Sequence, residues 1–412
     1  MEIIENQPSD VTVGLDIGST KICVVAARSD DEGDLEILGV GKIETEGVRK
    51  GVIANMASAV KAMKAAIEQC ENKCGFRIQT VYVGIAGSHI QGLNMEGVVA
   101  VRSGAVDEQD VERVIDSARA FRSPDKDLIH ILSQEYIVDE HADIKSPVGM
   151  AGKRLQAKVH IVLASATAIT NIIQSCNMVG LNVANIVLES LASSLAVLFP
   201  EERQEGAILI DIGGSTSDIL IIQRDSVVFT SVLPLGGNNL TRDIAFGLRI
   251  SNHEAQKIKH EFGLASTKGV QEGEIFHLPT LGRPDRIIEK RVLATIIEER
   301  LKEIFELIGE EIEKSPKKEF YGARVILTGG TSLLPGIQDL AEEVLEMPVR
   351  IGKPYNTKGV KDFVDSPIFS TAVGLNHYGF ENKNMADATS IHPDGSKLNV
   401  RKSVADFLKK FF

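Results

Sequence analysis

A short pattern that occurs twice constrains the fold of this chain more than any other feature. Residues 13–22 read VGLDIGSTKI and residues 208–219 read ILIDIGGSTSDI, each an apolar strand, an Asp, one or two Gly, hydroxyl residues and a second strand. Each copy is typical of a tight hairpin whose amides and hydroxyls face outward. A hairpin turn alone explains one copy. Two copies, with Asp16 and Asp211 195 residues apart (211 minus 16), indicate duplicated strand meanders whose hairpins grip a polyphosphate.

The residue types in these hairpins suit phosphate held together with magnesium. Hydrated Mg²⁺ keeps most of its waters and needs carboxylate acceptors around them, so Asp16 and Asp211 are predicted to address the metal through water. No G-x-x-x-x-G-K-[ST] or G-x-G-x-x-G sequence occurs, and P-loop and dinucleotide-binding folds are therefore poorly supported.

Two further segments fit a nucleotide between the halves. In VILTGGTSLLPGI (325–337), a strand runs into Gly-Gly and a turn, so backbone at Gly329, Gly330 and Thr331 could approach a base or sugar. In SNHEAQKIKHEFG, Glu254 and Lys257 lie three residues apart on one helix face, where they could hold ribose hydroxyls. Ser251 and Glu254 also fit a capping box, and spacing alone does not decide between the two interpretations.

Hydrophobic periodicity places these segments in two similar halves with a different region inserted in the first. The first half is predicted to contain strands at 11–17, 21–27, 35–42 and 80–84 and a helix at 55–74. The second half is predicted to contain helices at 238–247, 252–262 and 288–314, with a Gly- and Pro-rich loop at 263–284. Residues 89–166 read as a compact inserted subdomain.

Charge is distributed unevenly along the chain. The net charge is -12, but the last fifteen residues, LNVRKSVADFLKKFF, carry +3, which leaves -15 on residues 1–397. An acidic body with a short basic end argues against nucleic acid as a partner. The sequence contains no apolar run of about 20 residues and begins without the features of a signal peptide, so the cytoplasm is the expected compartment.

The basic end is predicted to be an amphipathic helix that lies on a membrane. Apolar residues recur at helical spacing on one stripe, namely Val400, Val404, Phe407, Leu408 and Phe411. Cations lie beside this stripe, namely Arg401, Lys402, Lys409 and Lys410. The last residue of the sequence is the aromatic Phe412. Fifteen residues span only about 22 Å, too short to cross a bilayer, so an anionic lipid surface is the expected partner. A core or partner-binding helix is the alternative.

The chain is similar to the actin superfamily of nucleotide-binding proteins and, within it, resembles the FtsA family of bacterial cell-division proteins over essentially its whole length. The segments that carry the resemblance are GLDIGSTK, LSQEYIVD followed by SPVGMAGKRLQAKVHIV, DIGGSTSDI, VILTGGTSLLPG, FSTAVGLNHYG and the basic end. The resemblance implies an α/β, actin-like two-lobed ATPase fold with duplicated ribonuclease-H-like domains. It also implies an inserted α+β subdomain and a C-terminal amphipathic helix.

The resemblance divides the chain into segments. The first lobe is expected at 1–88, 167–205 and 358–380, and the second at 206–237 and 315–357. The remaining segments are the inserted subdomain at 89–166, a small subdomain of the second lobe at 238–314, a flexible linker at 381–397 and the membrane-targeting helix at 398–412.

The resemblance also assigns roles at the nucleotide site, with ATP and Mg²⁺ as the implied cofactors. One side of the phosphates would be lined by Gly18, Ser19, Thr20 and Lys21, and the other side by Gly213, Gly214, Ser215 and Thr216. Glu254 and Lys257 would meet the ribose, with Gly329, Gly330 and Thr331 beside the adenine. Ser215 departs from the family, which usually has a third Gly there. Glu189 stands where relatives place the residue that orients the attacking water, at a position that varies in this family, so weak ATPase activity is implied.

The implied function is assembly into filaments on the cytoplasmic face of the inner membrane at the division septum. The family tethers the tubulin-like protein FtsZ and recruits later division proteins such as FtsN. Four basic residues of the small subdomain would contact the acidic C-terminal peptide of FtsZ, namely Arg283, Arg286, Lys290 and Arg291, although a solvated helix face explains them equally well. A small-molecule kinase or a pilus-assembly ATPase of the same fold is the alternative function.

Overall fold

The computed structural model describes residues 6–30, 33–119, 123–278, 285–316, 323–360 and 364–382. The predicted membrane helix at 398–412 lies outside the described residues, as do Arg283 and the predicted linker beyond residue 382. The predictions made for those residues therefore remain predictions.

The described residues form nineteen strands and ten α-helices. The strands are β1 Val11–Ile17, β2 Lys21–Ser29, β3 Leu35–Glu44, β4 Val48–Arg49, β5 Val52–Ile53, β6 Thr80–Ile85, β7 Gln91–Ala100, β8 Lys126–Val138, β9 His141–Ile144, β10 Arg154–Ser165, β11 Asn182–Leu188, β12 Ala207–Ile212, β13 Ser217–Gln223, β14 Ser226–Leu233, β15 Ile275–Leu278, β16 Arg286–Glu289, β17 Arg324–Thr328, β18 Val349–Ile351 and β19 Thr357–Gly359. The helices are α1 Met56–Cys74, α2 Glu108–Ala118, α3 Ala166–Met178, α4 Glu189–Val197, α5 Pro200–Glu205, α6 Gly237–Leu248, α7 Asn252–Phe262, α8 Lys290–Glu313, α9 Ile337–Leu345 and α10 Ser370–Glu381.

The two lobes are built on sheets with the same internal pattern. The first sheet has the order β11-β6-β1-β2-β3-β19 and the second has the order β14-β13-β12-β17-β18. In each, a meander of three antiparallel strands is joined to two parallel strands, through β1 and β6 in the first lobe and through β12 and β17 in the second. One face of each sheet packs in a core of its own, and side chains from the other faces, such as Val25 of β2 and Leu209 of β12, share a third core. The duplication predicted from the repeated motif is confirmed.

The inserted subdomain is a four-stranded sheet, in the order β7-β10-β8-β9, with α2 on one face. It has a core of its own, in which the Tyr136 ring is almost fully buried. The helix lies so close to β7 that a Cβ atom at Gly97 would overlap the Val114 carbonyl oxygen. Gly is therefore required at that point because the backbones of helix and strand approach each other directly.

The small subdomain of the second lobe differs from the sequence prediction at one place. Part of the predicted loop at 263–284 is strand β15, which pairs antiparallel with β16, and α8 therefore begins at Lys290 instead of 288. Phe276 and Leu278 alternate inward from β15 and are buried in the core. A strand of four residues gives too short an alternation to be recognised beside the Gly and Pro residues of this segment.

Candidate functional site

The two predicted phosphate hairpins meet between the two lobes, and we call the region around them the cleft. The first turn joins β1 to β2 and the second joins β12 to β13. They are in contact, because a Cβ atom added at Gly214 would overlap Cγ2 of Thr20. The structure therefore brings together the two hairpins that the sequence repeat predicts, and a polyphosphate between Thr20 and Gly214 requires them to move apart at that point.

In each hairpin, the residue before the last one of the first strand is a buried Asp. Asp16 is 3% exposed, and its carboxylate forms an ion pair with the Lys21 ammonium across the first hairpin. Burial alone would lower the pKa of Lys21, but the negative charges of Asp16 and Asp211 outweigh it and raise this pKa above its ordinary value. Lys21 is therefore a permanent cation at the cleft.

Asp211 is fixed by contacts from three separate segments. Its Oδ2 accepts hydrogen bonds from the Ser193 hydroxyl at 2.8 Å and the Thr371 hydroxyl at 3.4 Å. On the other side, Gly329 is so close that a Cβ atom there would overlap Asp211 Oδ1. Burial raises the pKa of Asp211, and the Ser193 hydrogen bond opposes that shift. Ser193 and Thr371 were not predicted from sequence, because no local pattern links them to residue 211.

Asp218 is a further buried carboxylate that the sequence prediction missed. It lies directly opposite Asp211 in the β12–β13 register and is 3% exposed, and its Oδ1 has no hydrogen-bond partner among the described residues. Burial, together with the charge of Asp211, raises the pKa of Asp218 to about 8. The signal was present in the sequence, since residues facing each other across a two-stranded turn point to the same side.

Glu189, the predicted orienting residue, lies at the start of α4 beside the same acidic group. Its side chain passes next to Gly84 of β6, where a Cβ atom would lie 2.9 Å from Glu189 Cγ. Burial and the charges of Asp16, Asp218 and Asp211 raise the pKa of Glu189 well above its ordinary value. This shift favours the protonated form, whereas a general base acts in its ionised form.

The second hairpin is supported from behind by α6 and by the turn after β17. The Gly213 carbonyl accepts hydrogen bonds from the Thr331 hydroxyl at 2.9 Å and the Gly237 amide at 3.0 Å. The Asn238 side-chain amide donates to the Ser215 hydroxyl at 3.2 Å. Ser215, for which the resemblance implies Gly, is thereby held by a neighbour at the start of α6.

The predicted ribose residues lie on α7, where the capping interpretation is realised. The Glu254 carboxylate accepts hydrogen bonds from the Ser251 amide at 3.0 Å and the Ser251 hydroxyl at 2.8 Å, while Lys257 is exposed. The buried lysine of this helix is Lys259, whose ammonium donates to the Gly237 carbonyl and the Thr241 hydroxyl, both at 2.9 Å. Burial lowers the pKa of Lys259 to about 8. Glu254 is therefore engaged with its own helix in this structure.

The donor set at the cleft fits a hydrated magnesium ion. No group of three or more His, Cys, Asp or Glu residues in the described part of the chain is arranged to ligate a metal ion directly. The carboxylates of Asp16 and Asp211 nevertheless lie close enough for the charge of one to raise the pKa of the other, and Asp218 Oδ1 is without a donor. A buried carboxylate oxygen without a donor, such as Asp218 Oδ1, suits an ion that keeps its waters and is bound through them.

The basic residues predicted to meet a partner peptide lie in the small subdomain of the second lobe. The Arg286 guanidinium donates to the Leu248 carbonyl at the end of α6, and the Lys290 ammonium lies 3.4 Å from the Glu274 carboxylate. Arg291 is exposed, and its guanidinium has no ion pair among the described residues. In the same subdomain Phe246 is 89% exposed.

Among the described residues, no helix is long and apolar enough to cross a membrane.

Two protein-family models match the chain. The model described as Cell division protein FtsA matches residues 208–374, and the model described as SHS2 domain inserted in FTSA matches residues 87–163. The Cell division protein FtsA of Pseudomonas aeruginosa is 39% identical over 406 residues, which cover 98% of this chain and 97% of that protein.

Solved structures of more distant proteins share the fold. A chain of the PilM-PilN type IV pilus biogenesis complex matches with a TM-score of 0.62 at 16% identity, over 89% of this chain and 98% of that one. MreB5 of Spiroplasma citri, in a crystal structure bound to ADP, matches with a TM-score of 0.54 at 15% identity, over 92% of this chain and 99% of that one. At these identities the likeness shows the fold alone, and it confirms the predicted actin-like architecture.

Proposed function

The chain belongs to the FtsA family of cell division proteins, and from that premise we propose that it binds ATP with Mg²⁺ and polymerises on the cytoplasmic face of the inner membrane. There, at the division septum, it tethers FtsZ filaments to the membrane and recruits later division proteins such as FtsN. The observation that carries the nucleotide part is the contact between the two duplicated hairpins, each with a buried Asp at its base.

The exposed side chain of Leu333 supports an adenine site beside the second hairpin. Leu333 is 49% exposed in the turn that begins at Gly330, and the Thr331 hydroxyl of the same turn is bonded to Gly213. An apolar side chain beside a polar cleft is covered favourably by a flat base, at about 25 cal/mol for each Å² of apolar surface removed from water. The backbone at Gly329 and Gly330 and the hydroxyl of Thr331 would border the base, with Glu254 and Lys257 toward the ribose.

Hydrolysis of ATP would be weak. Burial and acidic neighbours raise the pKa of the candidate orienting residue Glu189, and this shift disfavours the ionised form that general-base catalysis requires. Lys21, Ser19 and Thr20 would bind the phosphates on one side, and Gly213, Gly214, Ser215 and Thr216 on the other. Mg²⁺, when bound through water to Asp16 and Asp211, would neutralise phosphate charge.

Membrane attachment would depend on residues 398–412. Each of the four cations near an anionic surface contributes roughly 1 kcal/mol, and the apolar stripe adds further binding. A filament that carries many such helices would bind more tightly through effective concentration. Co-sedimentation with vesicles rich in phosphatidylglycerol tests this, with neutral phosphatidylcholine vesicles as the control. Equal binding of the full chain and a chain ending at residue 397 would exclude the proposed helix.

The FtsZ peptide would bind on the small subdomain of the second lobe. Phe246 is exposed there close to the end of α6, and the hydrogen bond from Arg286 to Leu248 brings β16 to the same place, with Ile287 63% exposed. Apolar side chains beside Arg residues suit a peptide that is both acidic and amphipathic.

Charge reversal tests the peptide site. Arg291→Glu is expected to weaken binding of the FtsZ C-terminal peptide at least about tenfold, because it places a carboxylate against an acidic ligand. Arg286→Glu should act in the same direction. Arg102→Glu, on the exposed surface of the insert, is the matched control. Unchanged affinity in both Arg286→Glu and Arg291→Glu would remove these residues from the site.

Electron microscopy on anionic lipid tests the whole proposal. Filaments are expected on the lipid when ATP and Mg²⁺ are both present, and fewer or none when either is omitted. A small-molecule kinase of the same fold would bind ATP without forming filaments on lipid. The absence of any assembly with ATP, Mg²⁺ and anionic lipid would therefore contradict the proposed function.

A further inference from the structure

The inserted subdomain contacts an edge of the first-lobe sheet through a hydrogen bond to one backbone amide. Among the strands of the described residues, β11 is the outermost of its sheet and pairs only with β6. Its last residue, Leu188, is fully buried, and its amide donates to Nε2 of His130 at 3.0 Å. His130 belongs to β8 of the insert, so a side chain from another subdomain satisfies a buried donor of the edge strand.

The His130 ring is held in the state that this hydrogen bond requires. It is 6% exposed and packs edge-on against the Tyr378 ring of the first lobe, with centroids 5.9 Å apart. Burial and the nearby His160 lower the pKa of His130 to about 4, so the ring is neutral at physiological pH. A neutral ring leaves Nε2 free to accept, provided that the proton is on Nδ1.

The residue after Leu188 is Glu189, the first residue of α4. Glu189 and Ser193 lie one turn apart on this helix and face the acidic cleft, where Ser193 donates to Asp211. No side chain caps the first turn of helix α4. The hydrogen bond at Leu188 is therefore a restraint placed directly before the first turn of α4.

The insert also contacts the other lobe, at the edge strand β14. His160 Nε2 lies 2.9 Å from the Thr230 hydroxyl, and the side chain of Asn94 donates to the Val228 carbonyl at 3.0 Å. Gln134 donates to the Val227 carbonyl at 2.9 Å. The insert is thus fixed to both lobes while its His130 holds the start of α4.

We propose that His130 is a positioning residue, through which the insert sets the start of α4 and hence the placement of Glu189 and Ser193 against the nucleotide. The inference rests on the proposed nucleotide site. It gives the insert a role in the cleft although none of its residues lies in either phosphate hairpin. A ligand that shifted the insert would, through the same contact, alter the cleft.

Three full-length variants test the role of His130. His130→Leu fills the site with an apolar side chain and removes the hydrogen-bond acceptor, whereas His130→Gln offers a carbonyl oxygen in place of Nε2. His141→Leu changes an exposed histidine on β9 of the same insert and is the matched control. Hydrogen exchange of the Leu188 amide, measured without nucleotide, reports the contact itself. Exchange of residues 189–197 with ATP and Mg²⁺, and the rate of ATP hydrolysis, report its effect on the cleft.

Exchange at Leu188 is expected to accelerate at least about tenfold in His130→Leu, because an unsatisfied buried donor opens more readily. The protection that ATP and Mg²⁺ give to residues 189–197, and any measurable hydrolysis, should fall with it. His130→Gln should restore the wild-type behaviour, and His141→Leu should not differ from wild type.

Two results would overturn the proposal. One is wild-type exchange at Leu188, or wild-type protection of 189–197, in His130→Leu. The other is failure of His130→Gln to rescue a defect of His130→Leu, which would assign the effect to ring packing against Tyr378. If the wild-type chain itself gains no protection from ATP and Mg²⁺, the proposed nucleotide site fails, and the Leu188 exchange still decides whether His130 holds α4.

Discussion

The adjacent glycines after β17 offer a sharp test of how the cleft is built. Gly329 has φ of 84° and ψ of 169°, a combination that is essentially restricted to Gly and costs other residues about 1–3 kcal/mol. A Cβ atom there would also overlap Asp211 Oδ1 and lie 2.7 Å from the Ile212 carbonyl oxygen. Gly330 has no such restriction, because its Cβ atom would meet only Ile368 Cγ1, at 3.9 Å.

Gly329→Ala is therefore expected to destabilise the chain strongly. Displacing Asp211 from the Ser193 hydroxyl adds the loss of a charged hydrogen bond, worth about 1.5–3 kcal/mol, to the backbone strain. The two effects together predict a loss of about 2.5–6 kcal/mol in the free energy of unfolding, a large part of the total for an ordinary domain. Gly330→Ala should be neutral or slightly stabilising, since Ala restricts the unfolded chain.

Equilibrium unfolding in urea without nucleotide measures both effects, and calorimetric titration with ATP and Mg²⁺ measures the site. Gly330→Ala should keep its stability but bind ATP more weakly, because the proposed adenine lies beside it. The reasoning is refuted if Gly329→Ala unfolds within about 0.5 kcal/mol of Gly330→Ala.

Three further predictions concern the charges of the cleft. The pKa of Asp218 is raised to about 8 in the folded chain, so the unfolded chain binds fewer protons between about pH 4 and 8. The stability that protonated Asp218 contributes is therefore present below about pH 4 and is lost as the pH rises through 8. Wild type should lose more unfolding free energy than Asp218→Asn between pH 5 and 8. Lys21→Met should cost about 3 kcal/mol of stability, because it leaves Asp16 buried without its cation, whereas Lys257→Ala should cost less than about 0.5 kcal/mol; urea unfolding compares them. Chelation of Mg²⁺ with EDTA should weaken ATP binding at least about tenfold in calorimetry. Without the ion, the negative triphosphate would lie next to the carboxylates of Asp16 and Asp211, with Lys21 as the positive charge between them.

The sequence predicts the part of the site that lies on regular, local patterns. The helix over Asn252–Phe262 and the strand over Val11–Ile17 have the bounds that the sequence pattern indicates, because the helix buries one face and the strand is a short run that is buried throughout. The hairpins are predicted by residue type and by repetition. Asp211 is supported by Ser193 and Thr371, which are 18 and 160 residues away, and no local pattern specifies contacts at such separations.

The asymmetry between the lobes shows why the remaining contacts could not be predicted from the repeat. In the duplicated sheets, β11 of the first lobe corresponds to β18 of the second, since each pairs in parallel with the strand beside the central one. The insert contacts β11 in the first lobe but β14 in the second, and these edges are not equivalent. A repeat predicts only what both halves share. The contacts through which the insert is proposed to act on α4 break that symmetry, so they require the folded chain to be recognised.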